Sequence, residues 1–273
     1  MKSCINGAKR SNNNFKNTFC NVNELCINRV RQSSTNNIIP HCAGDGDVRI
    51  NNKVVSRSTF SDCFSLNKKN YIDLLRDSTK PIVICTGPTG SGKTYLSCME
   101  GTTGLSTGKY KKMIITRPAV SIENEDHGFL PGNLNNKMDP WIRPIYDNIN
   151  ETIGVREFDS LLRHKIVEIC PFGYIRGRTF NNTYVIADEM QNSTKMQFQT
   201  LLTRLGEDSK IVINGDLNQS DNPSKDGLSN FLFLLEKYLS VYPIEYISLV
   251  ALSNEDIRRH PAINEILNIY SNN

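Results

Sequence analysis

The run Gly87-Pro88-Thr89-Gly90-Ser91-Gly92-Lys93-Thr94 fits the pattern G-x-x-x-x-G-K-[ST]. The apolar residues Pro81-Ile82-Val83-Ile84-Cys85 precede it and read as a buried strand. Tyr95 to Glu100 follow without a breaker and read as the opening of a helix. Strand, glycine loop and helix in that order build a cradle for phosphate. Glycines let consecutive backbone N–H groups turn inward around the anion. The helix N-terminus adds partial positive charge at the same point. All eight residues, Gly87 to Thr94, are therefore expected to bind a nucleotide. Lys93 is expected to reach the β- and γ-phosphates and take part in catalysis, and the Thr94 hydroxyl to hold Mg²⁺.

A phosphate loop alone does not say what happens to the nucleotide. Tyr184-Val185-Ile186-Ala187 reads as a second buried strand, and it ends in Asp188-Glu189. Ligands of such folds sit at the carboxyl ends of the strands. Asp188 is thus expected to hold Mg²⁺, directly or through water, and Glu189 to orient or deprotonate the attacking water. A third strand runs into Asn214-Gly215-Asp216-Leu217-Asn218-Gln219. Gln219 is a candidate sensor of the γ-phosphate, with Asp216 beside it, and Gln191 is a second candidate on the nucleotide.

Periodicity predicts strands over 81–85, 112–116, 166–170, 184–187, 210–214 and 245–249. It predicts helices over 71–76, 134–150, 158–163, 193–205, 228–238 and 262–270. Ser193 is the expected N-cap of the fourth helix, and Pro140 and Pro144 are expected to break or kink the second. Strands alternating with helices imply an α/β domain with a mostly parallel sheet over 63–273. Residues 1–62 are rich in Asn, Ser and Thr and read as a disordered tail. That tail holds nine Lys/Arg against four Asp/Glu, so it carries the whole basic excess of a chain with net charge +4. A basic arm of this kind adds non-specific affinity for nucleic acid, or stays solvated without a partner. The eight cysteines include no C-x-x-C pair, which points to a reducing, cytoplasmic setting. Their spacing with His41 does not match a zinc finger. No apolar run is long enough to span a bilayer, so no membrane role is expected.

Longer strings narrow the reading. They are Ile115-Thr116-Arg117-Pro118-Ala119-Val120, Gly128-Phe129-Leu130-Pro131-Gly132, and the stretch from Asp139-Pro140-Trp141 to Asp147. Tyr174-Ile175-Arg176-Gly177-Arg178-Thr179, Asp188-Glu189-Met190-Gln191 and Thr203-Arg204-Leu205-Gly206 continue them, and Asp256-Ile257-Arg258-Arg259-His260-Pro261 closes them. With these the chain resembles the PhoH-like family of ATPases, relatives of the first domain of superfamily 1 helicases, from about Leu66 to Tyr270. The resemblance implies a single RecA-like P-loop NTPase domain that hydrolyses ATP with Mg²⁺, in a setting of RNA metabolism. It names single-stranded RNA and a nuclease as candidate partners. Two positions depart from the family: Lys68, beside Asn67, stands where a glutamine suited to reading adenine is common, and Lys225 precedes Asp226 where Ser is usual.

One RecA-like core cannot open and close a cleft against a second, so a head-to-tail homo-oligomeric ring is expected, with an arginine supplied by a neighbour. Arg259 is the first candidate for that catalytic role, followed by Arg204, Arg143, Arg176 and Arg178. Arg117, Arg176, Arg178 and Trp141 are candidate RNA contacts. Two other classes stay open: a P-loop kinase acting on a small acceptor, and a non-catalytic protein that uses ATP for assembly.

Overall fold

The computed structural model describes residues 64–118, 134–221 and 226–257, two short strands at 48–50 and 53–55, and residue 269; over 134–142 and at 144 it describes the backbone alone. The predicted helix over 262–270 and the candidate Arg259 lie outside the described residues.

The strands β1 (Val48–Ile50) and β2 (Lys53–Val55) pair antiparallel, with Val48 opposite Val55. This ribbon falls within the polar stretch 1–62. Each triplet carries two β-branched residues, enough to favour a short ribbon inside a polar stretch.

The main sheet has six strands: β3 (Ile82–Thr86), β4 (Lys112–Thr116), β5 (Val167–Ile169), β6 (Thr183–Ala187), β7 (Lys210–Gly215) and β8 (Ile247–Ala251). Their order is β5-β4-β6-β7-β3-β8, and every neighbouring pair is parallel. The four inner strands are apolar along nearly their whole length because both faces are covered. The expected α/β core with a parallel sheet flanked by helices is present. The last strand sits two residues later than predicted, because Ile82 N–H bonds the Tyr246 carbonyl and starts the ladder there.

The flanking helices are α1 (Leu66–Arg76), α2 (Lys93–Ser106), α3 (Leu134–Ile153), α4 (Val155–Arg163), α5 (Lys195–Leu202) and α6 (Gly227–Leu239). Helix α1 begins five residues before its predicted start, since Ser65 caps it by accepting from Lys68 N–H. Helix α3 runs through Pro140 and Pro144 without the break that was one of the two expected outcomes. Each proline removes one backbone donor at a cost of about 3 kcal/mol. Burial of Ile145 and Ile149 in the core, against α2 residues such as Leu96 and Met99, offsets that cost. The cap of α5 is Thr194, not Ser193. Thr194 and Gln197 close a reciprocal capping box, whereas three residues after Ser193 stands Met196, which cannot complete one.

Candidate active site

The phosphate loop joins β3 to α2, and its glycines answer two physical demands. Gly92 caps α2 at φ 95°, a left-handed conformation that side chains disfavour. Gly87 lies so close to β8 that a Cβ there would stand 2.7 Å from the Leu252 carbonyl oxygen. Lys93 Nζ donates to the carbonyls of Gly87 at 2.7 Å and Pro88 at 3.0 Å, folding its ammonium over the loop. Ser91 Oγ is buried in the loop with no hydrogen-bond partner, so the loop holds an unsatisfied polar atom.

Asp188 follows β6, and β7 lies between β6 and the loop's own strand β3. Thr94 Oγ1 nevertheless donates to Asp188 Oδ1 at 2.8 Å, because Thr94 opens α2 over the carboxyl end of the sheet. Burial pushes the Asp188 carboxyl up from its ordinary range, and the neighbouring Glu189 charge pushes the same way; the Thr94 hydroxyl and Arg117 oppose them. A buried carboxylate facing a hydroxyl, both hard oxygen donors, fits Mg²⁺. A bound divalent cation would also relieve the repulsion that Asp188 meets.

Glu189 sits in the left-handed region at φ 53° and ψ 38°, a sparsely populated place for a residue with a Cβ. Its two oxygens face different elements. Gln191 Nε2 donates to Oε2 at 2.6 Å, and Arg117 NH2 lies 3.5 Å from Oε1. Gln191 is buried at 1 % exposure, and its Oε1 accepts from Asp216 N–H at 3.0 Å. Both ends of that amide thus lie within the fold, where Gln191 acts on Glu189.

The tip of β7 ties the two halves together. Asp216 Oδ2 accepts from Thr89 N–H at 3.1 Å, and Gln219 Oε1 accepts from Thr89 Oγ1 at 2.8 Å, so both side chains reach the phosphate loop. Asn214 accepts from Tyr71 OH at 2.8 Å and donates to Ser97 Oγ at 3.0 Å, which braces α2 from below.

Of the arginines singled out from sequence, Arg178 and Arg204 have partners within the chain. Arg178 forms a two-pronged pair with Glu168 on β5, at 2.6 and 3.0 Å. Arg204 bonds Thr200 O, Arg178 O and Thr203 Oγ1 of its own chain. Arg143 and Arg176 are exposed. The Trp141 side chain lies outside the described residues.

Lys68, singled out in the sequence as a departure from the family, lies against the phosphate loop. It is 5 % exposed, and its Nζ would lie 3.8 Å from a Cβ on Gly92. The glutamine-to-lysine departure therefore brings a second ammonium to the loop. Lys68, Tyr71 and Ile72 are buried along one face of α1. A separate pocket of about 490 Å³, lined by Lys109, Tyr110 and Lys210 among others, borders the start of β7, away from the loop.

A family model described as "PhoH-like protein" matches residues 62–271. The PhoH-like protein of Bacillus subtilis is 39 % identical over 206 residues, covering 76 % of this chain and 62 % of that one. The PhoH-like protein of Mycobacterium tuberculosis is 38 % identical over 209 residues, covering 76 % and 57 %. Protein PhoH of Escherichia coli is 38 % identical over 220 residues, covering 79 % and 60 %. The chain thus spans about 60 % of the length of these curated relatives. Among solved structures, the large terminase of a thermophilic bacteriophage is 12 % identical with a TM-score of 0.47, covering 75 % of this chain and 49 % of that one. The Pif1 helicase of Candida albicans is 13 % identical with a TM-score of 0.35, covering 75 % and 43 %.

Proposed function

The chain belongs to the PhoH-like protein family, and we propose that it hydrolyses ATP to ADP and phosphate in a Mg²⁺-dependent reaction coupled to single-stranded RNA. The observation that carries this reading is the Thr94–Asp188 hydrogen bond with Glu189 next in sequence. It joins a phosphate cradle, a metal-binding oxygen pair and a second carboxylate at one end of the sheet.

The residues divide the work. Backbone amides of Gly87 to Thr94 and the α2 N-terminus grip the phosphates. Lys93 retains one ammonium hydrogen beyond its two carbonyl contacts and can direct it to a phosphate oxygen. Thr94 and Asp188 would hold Mg²⁺, which would neutralise charge on the phosphates. Glu189, oriented by Gln191, aligns the attacking water and accepts its proton. Gln219 and Asp216, attached to Thr89, report occupancy of the loop to β7. A head-to-tail oligomer in which a neighbour's arginine reaches the phosphates fits the exposure of Arg143 and Arg176.

Support for RNA comes from the same end of the sheet. Arg117 leaves β4, and the adjacent strand β5 leads into a turn carrying exposed Tyr174 and Arg176. Cations with an exposed aromatic ring suit a sequence-tolerant single strand.

The test is phosphate release measured with no acceptor other than water, alongside nucleotide binding. Wild type should release phosphate. Glu189→Gln should bind nucleotide as before and turn over about 10²- to 10⁴-fold more slowly. Release that needs an added acceptor would indicate a kinase, and unchanged turnover in the variant would remove Glu189 from its role.

A further inference from the structure

The two restraints on Glu189 are unequal. Gln191 is buried and pinned to the backbone of β7, so its 2.6 Å bond to Oε2 is fixed by the core. Arg117 reaches Oε1 at 3.5 Å, and the Arg117 and Glu189 side chains are 24 % and 30 % exposed. The pair is long beside the 2.7 Å of Arg76–Glu100 and the 2.6 Å of Arg178–Glu168. A long, partly exposed ion pair of this kind is weakly held and yields to a competing anion.

The backbones on either side leave little else to move. Thr116 stands opposite Ala187 in the β4–β6 ladder, and Asp188 N–H bonds the Thr116 carbonyl at 2.9 Å. Arg117 is thereby fixed beside the acidic pair at its Cα, while its long side chain can turn. Glu189 has its direction set by the left-handed backbone and by Gln191. What remains adjustable is which anion the guanidinium faces: the Glu189 carboxylate or a phosphodiester. A guanidinium binds phosphate in the same forked geometry as carboxylate.

We propose that Arg117 is a positioning residue that restrains Glu189 through their ion pair, and that a phosphodiester backbone docking on Arg117 releases this carboxylate to serve the hydrolytic water. Polymer arrival and hydrolysis are then coupled through one side chain. This rests on the ATP hydrolase reading above and adds to it a route by which the nucleic acid sets the rate.

The experiment uses the full chain, with wild type, Arg117→Gln and Arg117→Lys. Each is assayed for ATP turnover alone, with an oligouridylate, and with an oligothymidylate of equal length, at low salt. Wild type is expected to be stimulated several-fold by the oligouridylate. Arg117→Gln is expected to show several-fold raised basal kcat, KM for ATP within about twofold of wild type, and no further response to either polymer. Arg117→Lys keeps the charge without the fork and is expected to recover part of the response. Equal stimulation by the two polymers assigns recognition to the shared backbone, and stimulation by the oligouridylate alone adds discrimination at the 2′-hydroxyl or at the thymine methyl; both fit the proposal. A lowered or unchanged basal kcat in Arg117→Gln, or stimulation at the wild-type level in that variant, overturns it. So does wild-type turnover that neither polymer changes. Absence of any phosphate release from wild type would instead strike the hydrolase reading itself.

Discussion

Thr94 and Asp188 are 94 positions apart in sequence and two strands apart in the sheet, yet the hydroxyl of one donates to the carboxylate of the other at 2.8 Å. That contact brings the loop after β3 against the tip of β6. Asp188 bears burial and the Glu189 charge together, and both oppose its ionised form.

Asp188→Asn should therefore separate function from stability. Loss of a metal-holding carboxylate removes several kcal/mol of charge stabilisation from the reacting phosphates, so turnover should fall by at least about 10²-fold. Loss of the buried charge should leave the melting temperature unchanged or raised. Turnover across a Mg²⁺ titration, paired with thermal unfolding, checks both halves. A variant that unfolds earlier and still turns over at the wild-type rate contradicts the metal assignment.

Tyr71→Phe should destabilise the support beneath α2. Tyr71 is fully buried and donates to Asn214 Oδ1, whose amide in turn donates to Ser97 Oγ. The phenylalanine leaves a buried acceptor unsatisfied, at about 1–3 kcal/mol. Chemical denaturation should show the midpoint shift without a change in slope.

Gly101→Ala tests how tightly α2 sits on the sheet. A Cβ there would lie 2.8 Å from Met113 Sδ and 2.8 Å from the Tyr184 ring. Alanine gains about 1 kcal/mol of helix propensity over glycine. Overpacking costs about 1–3 kcal/mol, and the Tyr184 ring has nowhere to retreat, being fully buried against Tyr110. Net destabilisation of about 1 kcal/mol is expected in thermal unfolding, and a stabilised variant would mean that α2 moves off the sheet at little cost.

Acid stability should carry the signature of Glu168. Hydrogen bonds from Arg178, and then from Lys112, outweigh burial and hold this carboxyl down at about 2, from an ordinary 4.5. A depressed carboxyl stabilises the fold above its unfolded value, and that contribution fades as pH falls from about 4.5 towards 2. The group is partly exposed, so screening limits the effect to about 1 kcal/mol. Glu168→Gln should lower stability at neutral pH by that amount and flatten the loss between pH 4.5 and 2 in denaturation curves. Parallel curves for the two proteins would show that the pair adds nothing.

Local signals carried the phosphate loop and Asp188-Glu189, because each is a short run of residues with one conformational solution. The capping box of Thr194 and Gln197 was equally local and could have been read from their spacing. The other features depend on residues distant in sequence. Insertion of β7 between β3 and β6 is a choice among parallel ladders of similar apolar strands. Arg117 meets Glu189 only because β4 and β6 are neighbours. The early start of α1 depends on Ser65, whose hydroxyl also bonds Asp256 on the far side of the chain. Asp256 is held below its usual range although burial pushes it up, because Ser65, Ser253 and Asn67 all donate to it. Of the arginines, periodicity could not tell Arg178, locked onto Glu168, from exposed Arg176 two positions earlier.

The end of β7 touches nearly everything that matters: Gly215 O accepts from Gly87 N–H, Asp216 holds Thr89, and the Asp216 amide holds Gln191. Under the proposed function, grip on the nucleotide and readiness to cleave it are in consequence fastened to a single rod. Damage to that rod should blur two properties that elsewhere in the site can be altered one at a time.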